Sequence, residues 1–331
     1  MDIDSFSAVR EPRWNRLKEL SGARRLTGAE ADELTRLYQS TAGDLSSIRS
    51  AAPEPSLVTR LSVTLASARV WLTGAHQVST HELRRFATYG IASAMYRVRW
   101  WAIAVFAAVV VLGAVTAWWT VTHPDALALV GTPEQRAQVA DHEFASYYTD
   151  YDSTSFAASV WTNNGFLAFQ CIAFGLTGFY PLMLMYNTVI QLGVAAAIMS
   201  EANLLDVFFK LIIPHGLLEL SAVFVAAATG LRLFWVMLSP GARTRSKALA
   251  EEGRTAFAVA IGLAVALFVS GLVEGYITGS AMPWAIKIAI GAIAFIAFWL
   301  YIFVIGKIAT QHGITGDTEG DFAVDTADVV G

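Results

Sequence analysis

Residues 210–233 have the sequence KLIIPHGLLELSAVFVAAATGLRL. This stretch is apolar enough to enter a bilayer, yet His215 and Glu219 lie one helical turn apart near its start. An ionisable side chain in the hydrocarbon layer costs about 3 kcal/mol or more, so it normally faces protein or water. We therefore expect a membrane-crossing helix that turns its His215 and Glu219 face towards other helices.

The composition of the whole chain is that of an integral membrane protein. Of its 331 residues, 55% are hydrophobic and 15% are charged, whereas soluble domains carry about 25% charged residues. Lysine and arginine are concentrated near the start, because 14 of the 23 lie in residues 1–100. The chain is therefore predicted to have an Arg-rich, water-exposed region followed by a membrane domain.

Residues 1–96 are predicted to form a cytoplasmic helical region. Thr27 and Glu30 have the spacing of a capping box, in which each side chain bonds a free backbone N–H of the first helical turn. Further helices are expected over about 57–72 and 80–98.

Residues 97–307 are predicted to be a six-helix transmembrane domain, so the fold class is all-α and polytopic. Each candidate segment has roughly the 20 mostly apolar residues that a spanning helix needs. The predicted spans are 100–122, 156–178, 181–200, 207–237, 255–277 and 284–306. The remaining residues, 308–331, are expected to form a disordered acidic tail.

The basic residues predict the orientation. Lysine and arginine precede the first predicted span, fill the loop between the fourth and fifth, and follow the sixth, whereas the loop at 123–155 is acidic. Because cytoplasmic loops are enriched in Lys and Arg, both termini are predicted to be cytoplasmic and the acidic loop to face outward.

With this topology, several polar residues fall in the outer half of the membrane domain, where they could form one intramembrane cluster. The candidate residues are Asn163, Asn164, His215, Glu219, Glu274 and Lys287.

Three interpretations of these residues are open. In the first, Glu274 pairs with Lys287 across a short hairpin, His215 pairs with Glu219, and the asparagines join helices by hydrogen bonds. In the second, the residues line a water-filled cavity. In the third, His215, Glu219 and Glu274 bind a metal, since three protein ligands suffice for a catalytic zinc, but the sequence alone assigns no metal.

Four membrane segments resemble motifs of the stage II sporulation protein M family. They are WTNNGFLAFQCIAFGLTG, YNTVIQLG, PHGLLELSAVFVAAATGLRL and GLVEGYIT. The N-terminal WNRLKEL and ELTRLYQSTAGDL are similar to the cytoplasmic region of the longer members. The resemblance implies a multi-pass protein of the bacterial inner membrane. The founding member is a scaffold of a peptidoglycan-degrading complex, and long members also occur in bacteria that do not sporulate.

The leading hypothesis is a non-enzymatic membrane scaffold or assembly factor of the cell envelope. Its expected partners are membrane lipid, other membrane or envelope proteins such as peptidoglycan-remodelling ones, a cytosolic partner on 1–96, and a second copy of the chain. No cofactor and no nucleic acid are expected. The alternatives are a transporter or channel-like protein with a cavity lined by Asn163, Asn164, His215, Glu219 and Glu274, and an intramembrane metal-dependent hydrolase.

Overall fold

A computed structural model describes residues 3–23, 26–51, 54–72, 80–143 and 153–317. All regular secondary structure within these ranges is helical, which confirms the all-α prediction. The chain divides into two compact units, one N-terminal and one that starts at His81.

The N-terminal unit contains three helices, α1 (Ile3–Ser21), α2 (Gly28–Ala51) and α3 (Pro55–Leu72). Their apolar faces meet in one core, as the spacing of the apolar residues predicts. The buried side chains of this core are Trp14, Leu17, Leu20, Leu34, Leu45, Ile48, Leu57, Leu61, Leu65 and Ala68.

The capping box predicted at the start of α2 is present. The backbone N–H of Thr27 donates to the Glu30 carboxylate at 2.8 Å, and the backbone N–H of Glu30 donates to the Thr27 hydroxyl at 3.4 Å. A polar contact that the sequence did not indicate joins α1 to α2, because the Trp14 indole N–H donates to Asp44 at 2.9 Å.

The second unit contains the apolar helices. The chain enters it through α4 (Thr80–Arg85) and a π-helical turn, Phe86–Gly90. The helices that follow are α5 (Ile91–Thr122), α6 (Pro124–Val130), α7 (Pro133–Gln138), α8 (Ser153–Ala173), α9 (Phe179–Glu201), α10 (Leu205–Leu238), α11 (Arg245–Leu272), α12 (Trp284–Leu300) and α13 (Gly306–Gln311). A π-helical turn, Val273–Thr278, continues α11, and another, Tyr301–Ile305, joins α12 to α13.

Among the residues that the structure describes, five helices, rather than the six predicted, are long and apolar enough to cross a membrane. They are Glu82–Thr122, Phe179–Glu201, Leu205–Leu238, Arg245–Thr278 and Trp284–Gln311. The remaining predicted span, 156–178, corresponds to α8, whose Ser, Thr, Asn and Gln side chains dilute its apolar residues. The helix also ends earlier than predicted, at Ala173, because the chain turns there through Gly178, whose φ of 65° suits glycine.

Helix α10 is the centre of this unit. Every residue from Ser221 to Gly230 is buried, and α5, α8, α9, α11 and α12 all pack against the helix. Small side chains let the neighbours come close. A Cβ atom at Gly230 would overlap the backbone carbonyl of Cys171 in α8.

The start of the predicted disordered tail is ordered. Residues 308–317 continue α13 and then fold back onto the unit, where the Ser93 hydroxyl donates to the Ile314 carbonyl at 2.6 Å. Arg254 makes two hydrogen bonds to the Asp317 carboxylate. The acidic composition predicted disorder for this segment, because the single turn and the ion pair that hold it in place do not show in the composition. Residues 318–331 lie outside the described part of the chain.

Candidate functional site

His215 and Glu219 lie in the first half of α10, at a point where α12 comes unusually close. A Cβ atom at Gly291 of α12 would overlap the carbonyl oxygen of Pro214. The side chain of His215 is buried, with 6% of the residue exposed, and Glu219 is half-buried. The prediction that this face turns towards other helices therefore describes His215 well and Glu219 in part.

Glu274 reaches the same place from the π-helical turn at the end of α11. A π-helical turn closes i→i+5 hydrogen bonds. The turn is held against α8 by close backbone packing, since a Cβ at Gly275 would overlap Ser153 and Ala157. Only 4% of Glu274 is exposed. Its carboxylate thus points into the bundle between α10 and α11.

His215, Glu219 and Glu274 form one cluster, called the polar triad below. His215 Nε2 lies 3.7 Å from Glu274 Oε1. One ligand atom from each of the three residues can be chosen so that all three atoms lie within 4.8 Å of one another. The structure therefore brings these predicted site residues together.

Two hydroxyl groups of the α11 segment contact the polar triad. Thr278 Oγ1 lies 3.2 Å from His215 Nδ1, and its own proton is directed to the Val273 carbonyl at 3.4 Å. A hydroxyl has one proton to donate, so Thr278 can accept from an Nδ1–H while it donates to Val273, and His215 Nε2 faces Glu274. The Ser270 hydroxyl lies 3.1 Å from the His215 carbonyl and 3.5 Å from Glu219 Oε2.

Lys287 is near the polar triad without pairing with it. Its amine donates to the carbonyl oxygens of Thr278 and Ser280, at 2.7 and 2.6 Å. Thr278 is the last residue of the π-helical turn, and Ser280 follows it. A cation is favourable there because the last carbonyls of a helix have no partner within it. The hairpin pair between Lys287 and Glu274 that we considered is therefore replaced by a cap on the helix end.

The two asparagines are not joined to the polar triad by a hydrogen bond. Asn163 is exposed and lies in a shallow groove with Ser155, Ser159 and Thr162, and Asn164 is half-buried. Both asparagines lie on α8, the helix to which the sequence pattern assigned them. The pattern could not show which side of α8 meets α10 and α11.

A second polar site, which sequence reasoning did not single out, joins three helices. Glu252 of α11 is only 3% exposed and accepts from Arg97 of α5 at 2.5 Å and from Arg232 of α10 at 3.0 and 3.1 Å. We call these three residues the Arg–Glu network. Arg232 lies within the GLRL segment quoted above, so a basic residue inside an apolar run was the available signal.

The acidic loop is also fixed by an ion pair. Arg136, the basic residue of that loop, donates to both carboxylate oxygens of Glu201 at the end of α9, at 2.6 and 2.8 Å. It donates as well to the carbonyls of Leu127 and Gly131. The hydrogen bonds to Glu201 raise the pKa of Arg136 above its ordinary value.

Comparison with known families identifies the membrane unit. Residues 102–279, more than half of the chain, match the family model described as Stage II sporulation protein M. The chain belongs to this family. The match contains the polar triad and both asparagines, and it ends just before Lys287.

The N-terminal unit matches a different family model. Residues 4–74 match a domain of unknown function (DUF8413). The resemblance of this region to the cytoplasmic region of the longer sporulation-family members stays a prediction, and the match gives residues 4–74 a family model of their own. No curated protein and no solved structure matches the chain.

Proposed function

We propose that this protein is a non-enzymatic scaffold or assembly factor of the bacterial cell envelope, which holds other membrane proteins against its transmembrane helices. The observation that carries this proposal is a polar stripe on the exposed side of α8. The stripe consists of Ser155, Ser159, Thr162 and Asn163, which lie at three- and four-residue intervals or adjacent to each other and line one groove.

The stripe is costly if α8 crosses the membrane uncovered. The helix has 21 residues, which gives about 32 Å at 1.5 Å per residue, and this matches a hydrocarbon core of roughly 30 Å. The Asn163 side chain makes no hydrogen bond to another part of the chain that the structure describes. Placing an amide in hydrocarbon without partners costs roughly 4–8 kcal/mol. A polar side chain from a partner helix would remove much of that cost.

The crossing of α8 also supports the proposed orientation. With α8 and the five apolar helices, the chain crosses six times and returns to the side on which it began. Both termini are then cytoplasmic, and the N-terminal unit is available to a cytosolic partner. Arg243, Arg245 and Lys247 in the loop before and at the start of α11 agree with a cytoplasmic side there.

The packing of the polar triad favours a scaffold over a transporter. A transport path needs ionisable groups that water can reach, whereas His215 and Glu274 are buried between α10 and α11. The groove of the polar stripe and a second groove lie on outward faces of the helices. The second groove, of about 650 Å³, lies between α8 and α11 and is lined mainly by apolar residues, including Phe169 and Phe257.

The proposal is tested by extracting the full chain from native membranes in mild detergent and identifying the proteins that copurify with it. We expect an envelope membrane protein in near-equimolar amount with the full chain. Asn163→Trp should reduce its recovery strongly, because the bulky ring fills the groove of the polar stripe. The matched control is Val111→Trp on the exposed side of α5, which should leave recovery unchanged.

Four outcomes would overturn parts of the proposal. Absence of any equimolar partner refutes the scaffold. Undiminished recovery of the partner with Asn163→Trp refutes the polar stripe as the contact surface. If only a second, differently tagged copy of the chain is recovered, the partner is the chain itself. A proton or ion flux in proteoliposomes that is abolished by Glu219→Gln would establish the transporter alternative.

A further inference from the structure

The polar triad places one imidazole and two carboxyl groups side by side inside the bundle. Glu219 and Glu274 each bring a carboxyl group, and His215 turns Nδ1 to Thr278 and Nε2 to Glu274. Glu274 Oε1 lies 3.7 Å from His215 Nε2, and the Glu219 and Glu274 carboxyl groups are close enough to hydrogen-bond to each other.

The nearby donors are committed elsewhere. The single proton of Ser270 has two acceptors to choose from, and the His215 carbonyl at 3.1 Å is closer than Glu219 Oε2 at 3.5 Å. The amine of Lys287 bonds the carbonyls of Thr278 and Ser280. Two carboxyl groups and an imidazole that face one another in a buried place are stabilised by a shared proton or a shared cation.

The distances fit a metal ion. Ligand atoms at about 2.1 Å from a tetrahedral zinc lie about 3.4 Å from one another. The His215 Nε2 to Glu274 Oε1 distance is 3.7 Å, and the three ligand atoms of the triad are within 4.8 Å of one another. Small rotations of the two glutamate side chains would bring all three atoms to bonding distance.

The surroundings of His215 are those of a metal-binding histidine. Such a histidine typically donates its second ring N–H to an oxygen that fixes the tautomer and the ring plane. Thr278 Oγ1 occupies that position at Nδ1. The mixture of one imidazole nitrogen and two carboxylate oxygens suits a first-row divalent cation, and zinc binds both kinds of ligand.

We propose that His215, Glu219 and Glu274 bind one divalent cation, with Zn²⁺ as the best chemical match. The ion would tie α10 to the π-helical end of α11 and would neutralise the two carboxylates inside the bundle. This site is independent of the polar stripe on α8, so it can fail or succeed without the scaffold proposal.

The experiment uses the full chain in detergent, purified with a tag that contains no histidine and stripped with a chelator. Zinc is added, excess is removed, and bound metal is measured by mass spectrometry. We expect an equimolar amount of zinc, and X-ray absorption should show nitrogen and oxygen ligands without sulfur. His215→Gln and Glu274→Gln should each weaken binding more than about 100-fold, beyond the 10- to 100-fold typical of changes around a site. Asp206 is an exposed carboxylate of α10 that pairs with Lys210. The control variant Asp206→Asn should therefore leave zinc binding unchanged.

Thr278 gives a milder test that keeps all three ligands. Thr278→Val removes the acceptor at Nδ1 and should weaken zinc binding about 10- to 100-fold, while Thr278→Ser should restore it. The proposal is overturned if the wild-type chain holds no zinc, or if it holds as much zinc as the His215 and Glu274 variants. It is also overturned if infrared spectra show a carboxylic acid band that Glu274→Gln removes and zinc does not, since a shared proton would then occupy the triad.

Discussion

Removal of Glu252 should destabilise the membrane unit more than removal of either arginine that pairs with it. Glu252 is 3% exposed, while the side chains of Arg97 and Arg232 are 26% and 23% exposed. Breaking a buried ion pair by deleting one partner costs about 3–5 kcal/mol. Because both arginines keep some contact with water, we expect Glu252→Ala to lower the free energy of unfolding by about 3 kcal/mol, the lower end of that range.

The two arginines should differ from each other. Arg97 supplies one of the three hydrogen bonds to Glu252, and Arg232 supplies two. A hydrogen bond to a charged group contributes about 1.5–3 kcal/mol. We therefore expect about 2 kcal/mol for Arg97→Ala, and for Arg232→Ala a loss between those of Arg97→Ala and Glu252→Ala. The double variant of Arg97 and Glu252 should lose less free energy of unfolding than the sum of the two single-variant losses, because the two residues share one contact.

The assay is reversible unfolding of the full chain from mild-detergent micelles by added SDS, followed by helical circular dichroism. Glu251→Ala is the matched control, since Glu251 is the adjacent glutamate and pairs with Arg243 of the preceding loop. That local pair should contribute less than about 1 kcal/mol. The reasoning is refuted if Glu252→Ala unfolds like Glu251→Ala, or if Arg97→Ala costs more than Glu252→Ala.

Three further predictions concern packing, pH and orientation. Gly230→Ala should lower the free energy of unfolding by about 1–3 kcal/mol in the same assay, because the new methyl overlaps the backbone of α8. The control Gly165→Ala, which has open space at its Cβ, should be neutral or slightly stabilising. Arg16 lowers the pKa of Glu33 below its usual 4.5, so this pair stabilises the N-terminal unit above that pH and the contribution is lost as the pH falls through the lowered pKa. Urea unfolding of that unit should therefore differ between wild type and Arg16→Gln at pH 7 and converge in acid; a constant difference would contradict this. A cysteine at Ala128 should react with a membrane-impermeant reagent in intact cells, and reaction only after permeabilisation would reverse the orientation.

The sequence by itself determined the helices and the residues worth examining. A pattern of apolar residues with period 3.6 fixes which residues form a helix and which share its face. It located the start of α2, helix α3 and the five apolar helices to within a few residues, except where helices extend beyond the apolar segment. Capping chemistry is equally local, so Thr27 and Glu30 could be paired from their spacing alone.

Only the tertiary structure decided which faces meet. Periodicity places His215 and Glu219 on one side of their own helix, but the partner of that side depends on how neighbouring backbones approach. Gly275 and Gly291 permit those approaches at places where any Cβ would overlap the next helix.

The same reason explains the errors in the predicted site. Asn163 and Lys287 have the polarity of site residues, yet one faces outward and the other caps a helix end. The Arg–Glu network joins residues as far as 155 positions apart, a distance over which a local pattern carries no information. Local chemistry is set by neighbours along the chain, whereas burial and pairing are set by neighbours in space.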